Sequence, residues 1–172
     1  MSPLRVVCIS DTHQMHSELV MPEGDILVFA GDFSGQTLKH EVIEFNRWLG
    51  TLAYREIFMT VGNHDGQFKN YEALARDLMT NAVVLIDDFA VFDGWKIYGS
   101  PWTARFGRWD FMLNPAALFD VWAKIPDDTD ILITHQPPLG LLDSVRGRPT
   151  GCPDLRDAVL QRVKPKLPDV LN

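Results

Sequence analysis

The residues able to do chemistry fall in four short stretches, each directly after an apolar run. Ser10-Asp11-Thr12-His13 follows residues 4–9, and Gly31-Asp32 follows residues 25–30. Gly62-Asn63-His64-Asp65 follows residues 57–61, and Thr134-His135 follows residues 130–133. Taken singly, an Asp-x-His, a Gly-Asp or a Gly-Asn is an ordinary turn signal. Taken together, they deliver carboxylates, imidazoles and an amide oxygen, with no thiolate, at the same end of every run. Parallel strands would gather such ends at one sheet edge, where open α/β folds place their chemistry. The ligand set suits Mn²⁺, Fe, Zn²⁺ or Mg²⁺.

The types and spacing suggest a dinuclear hydrolytic site, in which two cations about 3.5–4 Å apart share a carboxylate. Asp32 is the candidate bridge, because Gly31 lets the backbone come close. Asp11 and His13 alternate across one residue, so an extended backbone would point both at one cation. Asn63 and His135 would hold the other. The nucleophile expected is a hydroxide held between the metals, since bound cations lower the pKa of water from about 15.7 toward 7. His64 would face the phosphate and protonate the leaving oxygen, with Asp65 orienting its ring.

Those residues need an α/β frame to hold them. The apolar, β-branched runs predict strands over 4–9, 25–30, 56–61, 83–86 and 130–134. Asp93-Gly94 between residues 89–92 and 95–99 predicts a hairpin with a type I′ turn. Helical periodicity predicts helices over 38–49, 70–79, 115–124 and 153–163. The second carries Tyr71, Leu74, Ala75 and Leu78 on its inner stripe, the last Leu155, Val159 and Leu160. Parallel units followed by antiparallel strands predict an α/β fold, with a second sheet packed on the first. Trp102, Phe106, Trp109 and Phe111 read as packing, and His16 and His40 as surface histidines.

At 172 residues, 46% of them hydrophobic, the chain fits one domain with a sizeable core. A net charge of -7 and the lack of a basic stripe argue against long nucleic acid as a partner. Two cysteines give no disulfide framework. With no leader-like start and no apolar run of membrane-spanning length, the expectation is a cytoplasmic protein without a membrane partner.

In order and at compatible spacing, Ser10-Asp11-Thr12-His13, Gly31-Asp32, Gly62-Asn63-His64-Asp65 and Thr134-His135 resemble the calcineurin-like metallophosphoesterase superfamily. Gly99-Ser100-Pro101-Trp102 and residues 135–140 resemble its small metallophosphoesterase-domain-containing members. The resemblance implies a four-layer fold, a two-sheet β-sandwich flanked by helices, with two divalent metal ions. It implies hydrolysis of a small phosphoester, a cyclic nucleotide or simple diester, with Asp11, His13, Asp32, Asn63 and His135 as metal ligands and His64 facing the phosphate. It also implies a final Gly-His-x-His motif, and no histidine follows His135. The chain is accordingly read as a single domain over residues 1–172, truncated at its C-terminal side, with a weakly held second metal. Two further expectations attach to that reading. One is a homodimer through an exposed edge strand beside residues 130–134, with a tail over 165–172 that is poorly ordered without a partner. The other is an alternative function, a catalytically weak scaffold that binds a protein.

Overall fold

The computed structural model describes residues 4–166. Strands β1 (Val6–Ile9), β2 (Ile26–Ala30), β3 (Glu56–Thr60) and β4 (Val83–Val84) form a parallel sheet in that order. All five residues of β2 are buried, because both faces of this sheet are covered. The strand's period of two sorts its side chains. Leu27 and Phe29 face Val42, Phe45 and Leu49 of α1 (Lys39–Leu49), Phe68 of α2 (Gln67–Asn70) and Ala75 of α3 (Glu72–Leu78). Ile26, Val28 and Ala30 face the other way, into a core shared with a second sheet.

That second sheet begins with the hairpin of β5 (Asp88–Phe92) and β6 (Trp95–Ser100). Asp93 and Gly94 both have left-handed backbones, φ 49° and 82°, as a type I′ turn requires. A short parallel pair, β7 (Thr103–Ala104) with β8 (Met112–Leu113), precedes helix α4 (Pro115–Trp122), which starts on a proline. Strand β9 (Ile131–Thr134) then pairs parallel with β6. Ile97, Ile131 and Ile133 meet Ile26 and Val28 between the sheets. Tyr98 and Leu132 face outward against Leu118, Val121 and Trp122 of α4. A small antiparallel hairpin, β10 (Ser144–Val145) and β11 (Arg148–Pro149), leads to α5 (Pro153–Asp157) and a wider π-helical continuation over Ala158–Val163. The layers are therefore helix, sheet, sheet, helix, as expected. Among the described residues β1 pairs only with β2, and β9 only with β6.

Several expectations on elements are corrected. The helix over 70–79 breaks at Tyr71, and its inner face is Phe68, Ala75 and Met79, leaving Tyr71 64% exposed. In the last helix, Leu155, Val159 and Val163 are buried and Leu160 is exposed; the spacing of four follows the widened turns. His16 is buried against the rings of Phe45 and Trp48, so it is not a surface histidine. The expectation of a disordered tail bears on residues that, from Leu167 onward, lie outside those described. Among the described residues no helix is long and apolar enough to cross a membrane.

Candidate metal centre

Four strand ends converge as the sequence suggests. The loop after β1 runs beside the loop after β2: Asp11 N–H donates to the Gly31 carbonyl at 2.9 Å, and His13 N–H to the Asp32 carbonyl at 3.1 Å. Asp11, Asp32, Asn63, His64 and His135 line one cleft of about 530 Å³. A cavity of about 580 Å³ lies elsewhere, lined by Arg5, Glu23, Asp25 and Tyr54. It gathers none of the candidate ligand residues.

Asp32 is the hub. Its side chain is buried; Oδ1 accepts the His64 N–H at 2.8 Å and stands 3.5 Å from His135 Nε2, while Oδ2 lies 3.9 Å from His13 Nε2. Burial alone would raise its pKa, but the hydrogen bond and charge of His135 and the His64 amide hold it below the usual carboxylate range. Two groups of ligand atoms, each within 4.8 Å, share it: His13, Asp32 and His64, and Asp11, Asp32 and His135. Oxygen and imidazole donors at this spacing fit hard or borderline divalent cations. Asp11 therefore stands with His135, not with His13 as expected. The reason is local: Asp11 and His13 have φ of 51° and 40°, so the backbone is left-handed, not extended, and the two side chains do not alternate to one side. Asp32 itself is left-handed, at φ 58°. Such conformations persist where the surrounding structure imposes them, and they cluster at functional sites.

The three histidines are oriented by the same device. Nδ1 of His13 faces the Ser34 carbonyl at 3.2 Å, that of His64 the Gly35 carbonyl at 3.2 Å, and that of His135 the Ala30 carbonyl at 2.9 Å. A carbonyl can only accept, so each Nδ1 carries the hydrogen, and in a neutral ring Nε2 is the atom with a lone pair to offer. His135 Nε2 lies 3.1 Å from Asn63 Oδ1, which makes this pair neighbours, as expected. Burial by itself would lower the His135 pKa, but the hydrogen bond and charge of Asp32, the Asp11 charge and the Ala30 carbonyl raise it to about 9. A His pKa raised above its ordinary value of about 6.5 stabilises the metal-free fold below that pH, and the contribution is lost as pH rises through the folded value. A cation at Nε2 must displace that proton. Metal affinity, followed by calorimetry in two buffers of different ionisation enthalpy, should therefore rise from pH 6.5 to 9 with proton release, while the melting temperature of the metal-free chain falls over the same range.

Asp65 does not orient the His64 ring. Its buried carboxylate accepts four bonds: Asp32 N–H at 2.8 Å, Ser34 N–H at 3.0 Å, Ser34 Oγ–H at 2.9 Å and Gly62 N–H at 2.8 Å. Burial and the Asp32 charge push its pKa up to about 6, against the hold of the Gly62 and Ser34 donors. It fixes the two loops that carry Asp32 and Asn63, beneath the cleft. Two glycines make that approach possible. A Cβ on Gly31, whose φ is 100°, would stand 2.7 Å from Gly62 N. One on Gly62 would stand 2.2 Å from Asp32 Oδ1 and 2.7 Å from His135 Cε1. Gly62→Ala should displace both ligands and weaken metal binding by about 100-fold or more, beyond the cost of a neighbouring-shell change. Metal titration should show this; unchanged affinity would mean the loops have more room than these distances allow.

The wall opposite the ligands was not legible as such. Phe106 is 73% exposed and, with Thr103, Arg105, Val145 and Thr150, closes the cleft. Phe111 and, in part, Trp102 do pack inward, as expected of the aromatic segment. Gln136 ties the walls together: its Oε1 accepts the Ala104 N–H at 2.9 Å and its Nε2 donates to the Thr150 carbonyl at 3.3 Å.

With this geometry in place, comparison with known proteins is decisive. The family model for calcineurin-like phosphoesterases matches residues 4–170. The chain belongs to that family. It is 40% identical over 190 residues to human metallophosphoesterase domain-containing protein 1, covering 95% of this chain and 58% of that protein. It is 35% identical over 185 residues to a UPF0046 protein of Caenorhabditis elegans, covering 95% of this chain and 66% of that one. The chain thus spans less than two thirds of the length of these relatives. The family supports divalent metal binding, and the groups described above are sets of residues that could hold such ions.

Proposed function

We propose that the chain is a metal-dependent phosphodiesterase that hydrolyses small diesters, such as cyclic nucleotides or simple aryl diesters, in the cleft above Asp32. The observation that carries this reading is the sharing of Asp32 by two adjacent groups of potential ligands. Two divalent cations held there supply Lewis acidity and a water acidified toward neutrality. The chain's own residues supply the rest. Asp32, Asp11 and His135 bring negative charge and a lone pair to one side, and His13 reaches Asp32 from the other. His64 reaches the cleft beside Asn63, with Nδ1–H on the Gly35 carbonyl, so in the doubly protonated ring it is the Nε2 proton that would pass to the leaving oxygen. Phe106 and Val145 offer an apolar surface to the leaving group, and Arg105 a positive charge at the rim. Cys8 and Cys152 are free thiols, which accords with a reducing compartment such as the cytoplasm.

The test is hydrolysis of bis(4-nitrophenyl) phosphate by the purified chain with Mn²⁺, Zn²⁺, Mg²⁺ or no metal, alongside elemental analysis. Metal-dependent turnover that a chelator abolishes is the expected result. A chain that binds metal yet hydrolyses no diester with any of these ions would sink this reading in favour of a binding scaffold.

A further inference from the structure

One aromatic contact beside the cleft is made by a residue that belongs neither to a ligand group nor to the substrate wall. The Trp109 indole stacks on the His64 ring, with centroids 4.1 Å apart and planes inclined by 28°. The edge of the same imidazole meets His13, centroids 4.7 Å apart at 77°. The backbone keeps Trp109 in register with its neighbour: Asp110 N–H donates to the Asn63 carbonyl at 3.2 Å. The Asp110 carboxylate is held in turn, 3.4 Å from Lys69 Nζ and 3.5 Å from Asn70 Nδ2. Gly66 leaves the room, since a Cβ there would stand 2.0 Å from Asp110 Oδ2. Residues 109–110 are thus fastened to residues 63–64 at the very point where His64 leaves the strand end. Trp109 is 48% exposed and is not among the residues that line the cleft, so neither burial of the core nor contact with a small substrate accounts for its place.

We propose that Trp109 is a positioning residue for His64. A histidine beside a cleft can rotate about its Cβ–Cγ bond, which puts Cδ2 in the place of Nδ1 and Cε1 in the place of Nε2. The Gly35 carbonyl selects one orientation with a hydrogen bond, and the indole holds the plane of the ring in which that bond can form, because offset stacking is lost as the ring tilts out of it. Together they keep Nδ1–H on the carbonyl and Nε2 toward the cleft. The catalytic consequence rests on the reading of His64 as the proton donor. Removing such a donor costs about 10²–10⁴-fold, and misplacing it should cost a part of that, on the order of tenfold in kcat. KM should stay unchanged, because Trp109 is not among the residues that line the cleft, and metal content should stay near that of wild type on the same reading, in which His64 gives a proton and holds no cation.

The experiment compares Trp109→Ala and Trp109→Phe in the full chain by two readouts. The first needs no activity. In nitrogen-15 spectra of histidine-labelled, metal-free protein, the His64 signal is assigned by its loss in His64→Ala. Wild type and Trp109→Phe should show the single Nδ1–H tautomer, and Trp109→Ala an averaged one. The second is diester turnover. Trp109→Ala should lower kcat about tenfold, Trp109→Phe should restore it to within about threefold, and Trp109→Ala should have no effect in a His64→Ala background, as groups acting as a unit are non-additive. A Trp109→Ala chain whose His64 keeps the single tautomer overturns the proposal, whatever its turnover. If wild type hydrolyses no diester, the proposed function falls, and the tautomer decides the role of Trp109 alone.

Discussion

Asp32→Asn should strip the chain of bound metal and lower diester turnover by more than about 100-fold. Asn is the cleaner variant, because it tolerates the left-handed backbone at this position, where Ala would add strain. It keeps the volume of the side chain and removes its charge. That charge is the element common to both ligand groups, so neither cation site can compensate for the other. Loss of a residue that merely supports a ligand costs about 10–100-fold in metal affinity or activity, and loss of the shared ligand should exceed that. Elemental analysis after gel filtration, with a titration of Mn²⁺ into the metal-free protein, checks it. Retention of two equivalents of metal by Asp32→Asn would show that the ions sit elsewhere.

His64→Ala should separate catalysis from metal binding. Turnover should fall by about 10²–10⁴-fold, the usual worth of a general acid, while metal content stays near that of wild type. The backbone supports this separation. The His64 N–H, which donates to Asp32 Oδ1 at 2.8 Å, survives the substitution, so the hub keeps its orientation. The competing role is concrete, since His64 also stands within ligand distance of His13 and Asp32. A His64→Ala chain that loses metal as fully as Asp32→Asn would make His64 a ligand and leave the proton donor to be found.

The parallel half of the fold is legible in the sequence because buried parallel strands are continuous apolar runs, and those over 4–9, 25–30, 56–61 and 130–134 end in the candidate site residues. Residues 25–30 and 130–134 need little more than their composition to be placed. The Asp93-Gly94 hairpin is legible for a different reason, a turn that few other sequences can form. The hairpin at 144–149 is not. Its strands are two residues each and exposed, and Arg146, at φ 50°, takes a left-handed position that nothing in its side chain announces. At the site, the ligand types are legible but their grouping is not. Asp11 and His13 were separated by local backbone angles, which residue spacing does not encode. Asp65 reads as a partner for its neighbour His64, yet its partners are the amides of Asp32, Ser34 and Gly62, contacts made only once two distant loops are folded together. Phe106 and Trp109 look like core residues in one dimension, because an aromatic residue's side of the surface is fixed by the turn that carries it.

The Asp65 carboxylate has a consequence for how this part of the molecule opens. The amide hydrogens of Asp32, Ser34 and Gly62, from the loops after β2 and β3, end on one buried side chain. An opening fluctuation that withdraws Asp65 takes the acceptor away from all three at once. In terms of local stability the two loops are a single cooperative unit rather than two independent connections, with a shared free energy of opening.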